Sequence, residues 1–238
     1  IGSLALLTTK KTLSPGELAE LDAGFEQTDP REIVQWAVET FGEGLSVGAS
    51  FGGASGMAIL HMVAQLKPDV HVFVLDTDYL FEETHETMRK SIPALGLGNV
   101  NVYKSEMSHE EQAAKYGSAL WMRDPDLCCE IRKIEPNRRA LAGKSAWVSG
   151  LRRDQSEGRA DTPIVSWAPK FGVVKLNPLA NWTEKQTWEY VVANKIPYNP
   201  LLDQGYASIG CYNCTLPGVQ GRAGRWQGFE KEECGLHT

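Results

Sequence analysis

Leu45–Gly56, LSVGASFGGASG, and Val70–Asp78, VHVFVLDTD, decide how this chain folds. The first begins as a short apolar strand, Leu45–Ser50, passes through a turn of Gly and Ser, and continues as a helix from about Gly56 to Gln65. In the second, Val70–Leu75 is almost continuously apolar, the texture of a strand covered on both faces of a parallel sheet. Strand, tight turn, helix and buried strand in that order make a βαβ unit.

Downstream the alternation goes on. Phe81–Ser91 reads as a helix, Asn99–Tyr103 as a strand, His109–Tyr116 as a helix, Ala146–Gly150 as a strand and Thr183–Asn194 as a capped helix. Upstream, Leu18, Leu21 and Phe25, then Ile33, Val34, Ala37, Val38 and Phe41, recur at spacings of three and four, as amphipathic helices require. Ser14-Pro15 with Glu17 is a capping-box start, and Asp29-Pro30 repeats the signal. The pattern predicts an α/β fold with a doubly wound, mainly parallel sheet, whose ligands sit beyond the C-terminal ends of the strands.

After Ile196 the periodicity stops. Residues 197–238 carry Pro197, Pro200, Pro217, seven glycines and three of the five cysteines. The chain therefore divides into an α/β nucleotide-binding domain over 1–196 and a C-terminal arm over 197–238, laid across it as long functional loops are. With 42% hydrophobic and 23% charged residues the composition is globular, and the net charge of −6 argues against a general nucleic-acid binder while leaving room for a local basic pocket. No run reaches the roughly 18 apolar residues of a membrane span. Ile1–Thr9 is too short for a secretory core, although the chain starts at Ile1 and a preceding leader stays open. The expected location is cytoplasmic. Oligomeric state stays open too, a homo-oligomer included.

The loop Ser50–Gly56 follows a strand and opens a helix, where backbone N–H groups and the helix terminus favour an anion. It lacks both the Walker A and the GxGxxG spacing, so alone it is equally an ordinary strand–helix turn. Leu75-Asp76-Thr77 ends the second strand beside it, where a nucleotide's base and ribose would lie, or where Asp76 and Thr77 would cap the next helix.

The cysteines divide into four and one. Cys128-Cys129 and Cys211-x-x-Cys214 lie about 80 residues apart and point to a shared metal centre; zinc and a 4Fe–4S cluster both accept four thiolates. A helix starting at Asp124-Pro125 would carry Cys128 and Cys129 with side chains about 100° apart, which suits two corners of a cube better than one tetrahedral ion. Cys234 stands alone. Glu232 and Glu233 beside it would raise its pKa, so reactivity requires a cation such as Arg222, Arg225 or His237. Arginines and lysine gather at Arg132-Lys133, at Arg152-Arg153 with Arg159, and at Arg222 with Arg225; in an acidic chain this suggests a small polyanionic ligand.

Together these segments resemble the phosphoadenosine/adenosine phosphosulfate reductase family. The resemblance runs through SFGGASG at Ser50–Gly56, LDT at Leu75–Thr77, CCEIRK at Cys128–Lys133, GLRRDQS at Gly150–Ser156 and NPL at Asn177–Leu179. It continues through IPYNPLLDQGYASIGCYNC at Ile196–Cys214, RAGRW at Arg222–Trp226 and ECGLH at Glu233–His237. It implies an adenine-nucleotide α-hydrolase-like fold and the branch that carries a 4Fe–4S cluster and prefers adenosine 5′-phosphosulfate. On that resemblance Cys234 would be the catalytic nucleophile and thioredoxin the reductant. Cys128, Cys129, Cys211 and Cys214 would ligate the cluster, with Lys133 bridging it to the sulfate. Ser50, Phe51, Gly52, Gly53 and Ser55, with Leu75, Asp76 and Thr77, would hold the nucleotide. Arg159, Arg222 and His237 would neutralise the phosphosulfate, with Arg152 and Arg225 also among the substrate-binding residues. The chain departs from the family pattern in Asp78 where Gly is usual, in Ala54-Ser55 where many cluster-bearing members have an acidic residue, and in Leu216 where a basic one is common. Other readings are reduction of the 3′-phosphorylated substrate, a metal-bearing nucleotide sensor in which Cys234 is dispensable, and an ATP-cleaving ligase or thiolase of the same fold, against which the missing SGGxDS loop counts.

Overall fold

The computed structural model describes residues 12–218, 221–222 and 224–237; the opening run Ile1–Thr9 lies outside them. Two helices come first, α1 (Pro15–Phe25) and α2 (Pro30–Phe41). The capping box forms as the sequence predicts, with Ser14 N donating to Glu17 Oε2 at 2.7 Å and Glu17 N to Ser14 Oγ at 3.3 Å. Asp29 caps α2 by accepting from Arg31 N at 2.9 Å.

The alternating part follows as β1 (Leu45–Ala49), α3 (Ala54–Leu66), β2 (His71–Leu75), α4 (Glu82–Leu95), β3 (Val100–Tyr103) and α5 (His109–Tyr116). Then come α6 (Leu120–Arg123), α7 (Pro125–Cys129), a π-helical turn over Glu130–Ile134 and α8 (Glu135–Ala140). Asp124 caps α7 through Leu127 N at 2.9 Å, so Cys128 and Cys129 do close a helix started by Asp124-Pro125. The remaining regular elements are β4 (Ala146–Val148), β5 (Val165–Ala168), β6 (Val173–Leu176) and α9 (Glu184–Ala193). Helix α3 starts two residues before the expected Gly56, and α4 runs past Ser91 through Pro93 in its last turn. The hairpin of β5 and β6 and the short helices α6 and α8 carry no clear sequence signal and are found only in the structure.

The six strands form one sheet in the order β3-β2-β1-β4-β6-β5, parallel except for the antiparallel edge pair β5–β6. Alternate residues of each strand feed the two faces. Val72 and Val74, Val148 and Val174 join Ile33, Val34, Met57 and Leu60 in the larger core, beneath α2, α3 and α9. Phe73, Trp147 and Val173 point the other way and pack with Ala140 and Leu141 from the end of α8. The order turns between β1 and β4, the place where a doubly wound sheet opens a crevice. Among the described residues no helix is long and apolar enough to cross a membrane.

Two loops meet across that crevice at Gly150. A Cβ there would come within 2.9 Å of the backbone of Ser55 and Gly56, atoms that cannot yield. Gly150→Ala is therefore expected to cost about 1–3 kcal/mol of stability by overpacking. A denaturant melt checks this; an unchanged midpoint would show that the loops are not in register contact.

Beyond α9 the chain makes only short 3₁₀ turns, Pro200–Gln204 and Tyr212–Cys214, and isolated bridges, among them Leu80 with Cys211 and Thr215 with Arg225. Leu201, Cys211, Thr215 and Trp226 are buried, so this stretch is pinned to the sheet domain at separate points.

Candidate active site

Beyond the carboxyl ends of β1, β2 and β4 a cavity of about 260 Å³ opens, and residues from both the sheet domain and the C-terminal stretch line it. Phe73 and Trp147 are among its walls. They fit because residue 48 is Gly: a Cβ there would stand 2.6 Å from Trp147 Nε1 and 3.0 Å from Phe73.

In the first loop Ser50, Gly53 and Ser55 face the cavity. Phe51 does not; at φ 51° it turns its ring into the larger core, and its carbonyl accepts from Asn199 Nδ2 at 3.3 Å. Gly52 instead fits against Ile209 of the C-terminal stretch, 3.2 Å from where a Cβ would lie. Arg152 stands behind the loop, donating to Ser55 Oγ and to Asp154 Oδ1 at 2.8 Å. Its neighbour Arg153 leaves the site altogether and clasps Glu26 at 2.7 and 3.0 Å.

After β2, Leu75 and Thr77 line the cavity, whereas the Asp76 carboxylate is engaged by Asp78 N at 2.9 Å and Lys104 Nζ at 3.2 Å. Asp78 also turns away from the cavity. At φ 60° it places its carboxylate 2.6 Å from Lys104 Nζ and 3.1 Å from Nη1 of Arg132, a guanidinium that is 1% exposed. The unusual residue thus provides a counter-charge for a buried arginine beside the tandem cysteines. Asn tolerates positive φ as Asp does, so Asp78→Asn removes the charge alone. With Asp78 partly solvated, a loss of about 1–2 kcal/mol in unfolding free energy is expected. No change in a denaturant melt would mean that Gln112, which accepts from Arg132 Nε at 2.8 Å, suffices.

Cys128, Cys129, Cys211 and Cys214 surround a second, small cavity of about 10 Å³, lined also by Lys133 and Asn213. Thr77 Oγ1 lies 3.2 Å from Cys211 Sγ and links this group to the first cavity. Burial, with repulsion from the neighbouring cysteines, pushes the Cys128 thiol up to about 12 and that of Cys214 to about 11. Four sulfurs so placed need positive charge between them to ionise. Among the described residues no group of three or more His, Cys, Asp and Glu side chains is drawn in tightly enough to hold a metal ion. Both side-chain polar atoms of Asn213 are buried there without a partner. Four thiols of this kind suit a thiophilic centre, and both zinc and a 4Fe–4S cluster accept such a donor set.

Lys133 lines both cavities from the π-helical turn, a distortion common at functional sites. Burial opposes its charge, but Cys211, Cys234 and Cys129 together hold its ammonium above the ordinary lysine range. Cys234 lines the larger cavity from the C-terminal stretch. Burial would raise its thiol; Lys133, the N–H of Leu236 and Arg225 outweigh that, against Glu233, and its pKa falls below the ordinary value. Lys133 is therefore the leading activating cation, and Arg225, one of those expected from the sequence, adds to it.

His237 stacks on Trp147, ring centroids 5.3 Å apart and planes at 22°. Burial, and then Lys175, Arg159, Arg222 and Lys133, drive its pKa well down, so it stands as a neutral ring rather than a cation. Arg222 and Arg225 also line the cavity, with Trp226 between them and the lysines: its ring has Arg225 at 4.3 Å, Arg222 at 5.4 Å, Lys231 at 5.5 Å and Lys133 at 5.9 Å. Aromatic faces attract such cations and hold them in a fixed array.

Asn137, one helical turn beyond Lys133, and Trp147 are the main lining residues that the motifs do not mark. Both Asn137 side-chain polar atoms, Trp147 Nε1, Arg225 Nε and His237 Nδ1 are buried and unpartnered. Buried polar groups are rarely left so, and five such atoms on the walls of one cavity point to a polar, anionic ligand. The only textual cue to Trp147 was its position three residues before GLRRDQS.

A family model described as "Phosphoadenosine phosphosulfate reductase domain" matches residues 46–217. A Salinibacter ruber protein named adenosine 5′-phosphosulfate reductase is 48% identical over 94% of this chain and 90% of its own length. A Bacillus subtilis protein named adenosine 5′-phosphosulfate reductase 2 is 43% identical over 88% of this chain and 89% of its own. Among solved structures, a Candida auris phosphoadenylyl-sulfate reductase in a phosphate complex matches at 34% identity with a TM-score of 0.76, covering 87% of this chain and all of that one. Candida glabrata FMN adenylyltransferase shares the fold at 14% identity, with a TM-score of 0.57 over 87% of this chain and 69% of that one.

Proposed function

This chain belongs to the phosphoadenosine phosphosulfate reductase family, and on that premise we propose that it reduces adenosine 5′-phosphosulfate to sulfite and AMP in sulfate assimilation. The observation that carries the reading is Cys234: a cysteine with a lowered pKa, facing a cavity lined by Lys133, Arg159, Arg222 and Arg225 at the switch point of the sheet. The four-cysteine group favours this substrate over its 3′-phosphorylated relative, since members acting on the latter generally lack those cysteines.

In the proposed reaction the first loop and Leu75–Thr77 hold the nucleotide, while the cations orient the sulfate toward Cys234. The Cys234 thiolate attacks the sulfur, the bond from sulfur to the phosphate oxygen breaks, and AMP leaves with the electron pair. The enzyme is left as an S-sulfocysteine, one hard step divided into two. A thioredoxin thiolate then attacks Cys234 Sγ, sulfite leaves, and the second thioredoxin thiol resolves the mixed disulfide, so the two electrons come from the dithiol. A 4Fe–4S cluster held by Cys128, Cys129, Cys211 and Cys214 would supply a charged partner for Lys133 and the sulfate. We read residues 197–238 as an arm that closes Cys234 over the substrate and then presents it to the reductant.

The test is the intact mass and peptide map of anaerobic protein given adenosine 5′-phosphosulfate without reductant. A sulfonate group on Cys234, removed as sulfite by reduced thioredoxin, is expected. An adduct formed only with the 3′-phosphorylated compound would move the substrate to that relative, and no adduct with either would leave a nucleotide-binding role.

A further inference from the structure

Glu233, next to the nucleophile, is bound by two of the arginines that line the cavity. Arg159 Nε donates to Glu233 Oε1 at 2.6 Å and Nη2 to Oε2 at 2.9 Å, a bidentate pair. Arg159 Nη1 donates to Gln155 Oε1 at 2.5 Å, so all three nitrogens of Arg159 are engaged. Arg222 Nη2 lies 3.4 Å from Glu233 Oε2, and Arg222 also donates through Nε and Nη2 to the Glu232 carbonyl at 3.1 and 2.9 Å. The three side chains are only 10–15% exposed, so water screens the contact little.

A carboxylate held this way takes up charge that the family resemblance assigns to the phosphosulfate. We propose that Glu233 is a positioning residue: its carboxylate clasps the end of the arm to Arg159 and Arg222, and so seats Cys234 over the cavity. A free oxyanion competes with Glu233 for the same two guanidiniums. While the clasp is closed, the charge offered to the substrate comes from Lys133 and Arg225, and Arg159 serves the arm. Three further contacts fasten the same segment: Lys231 Nζ to Asp126 Oδ1, Lys170 Nζ to the Gly235 carbonyl at 2.9 Å, and the His237 ring on Trp147. Glu233 is the one that joins the arm to the cavity's own cations.

Amide hydrogen exchange of the peptide spanning 230–237, followed by mass spectrometry on the anaerobic iron-loaded protein, reads the clasp without any turnover. Glu233→Gln keeps the shape and removes the charge, and exchange is expected to quicken about tenfold or more, the weight of a lost charge-assisted pair. Glu232→Gln, which contributes only its carbonyl, is expected to exchange as the parent does. Inorganic sulfate should quicken exchange in the parent at constant ionic strength and leave Glu233→Gln unchanged. Unaltered exchange in Glu233→Gln, or slower exchange of the parent in sulfate, would overturn the clasp. Its kinetic consequence rests on the proposed reduction: Glu233→Gln lowers kcat and leaves KM for adenosine 5′-phosphosulfate nearly unchanged, whereas a general loss of structure would also weaken AMP binding. If the parent does not turn over that substrate while the exchange results hold, the reaction is wrong and the clasp stands.

Discussion

Cys234→Ser is expected to abolish sulfite release, by at least about 10⁴-fold, while AMP binds as it does to the parent. The serine hydroxyl keeps the shape and the polar contact but has no accessible anion, and Lys133 has nothing to stabilise there. The other cysteines do not substitute for it: burial pushes the thiols of Cys128, Cys129 and Cys214 up, while that of Cys234 lies low. Sulfite formation is followed with reduced thioredoxin in excess, and adduct formation by intact mass. Residual activity within a factor of about ten of the parent would place the nucleophile elsewhere.

Replacing any one of Cys128, Cys129, Cys211 and Cys214 by serine is expected to remove the iron and the visible absorption, about four iron atoms per chain in the parent falling toward none. Stability should fall as well. The two pairs tie α7 to the C-terminal stretch across about 80 residues, and a cross-link of that span contributes roughly 4 kcal/mol by constraining the unfolded chain. Metal analysis, absorption and a denaturant melt under argon give three independent readings. One zinc and no iron in the parent protein would replace the cluster with the tetrahedral alternative; iron retained in all four variants would mean that these cysteines are not the ligands.

The continuous apolar run of β2, the short strands β1, β3 and β4 alternating with helices, and the helices with capping signals were legible because each carries its own period or punctuation. The β5–β6 hairpin was not: Ser166 and Lys175 interrupt the apolar pattern, and Trp167 on the edge strand is 42% exposed, so no run stands out. Motifs identified most of the cavity's lining, from Ser50 to His237, but not its orientation. Adjacent arginines parted, Arg152 toward Ser55 and Arg153 toward Glu26, because the partner of each lies far along the chain. Phe51 sits inside a glycine-rich motif yet belongs to the core. The leading charge was out of sight for the same reason. Glu233 does oppose the Cys234 thiolate, as its place in the sequence predicts, but is itself neutralised by Arg159, and Lys133, a hundred residues away, decides the balance.

The ring of His237 lying on Trp147 gives the proposed arm movement an optical record. An indole shielded by an imidazole emits differently from one facing water, so on the proposed cycle each release of the arm is written into the emission of Trp147. Seven tryptophans share that signal, and Trp147→Phe subtracts the one of interest. Rapid mixing with substrate, then with thioredoxin, would time the opening and closing of the arm without a dye, in the same sample that times the chemistry.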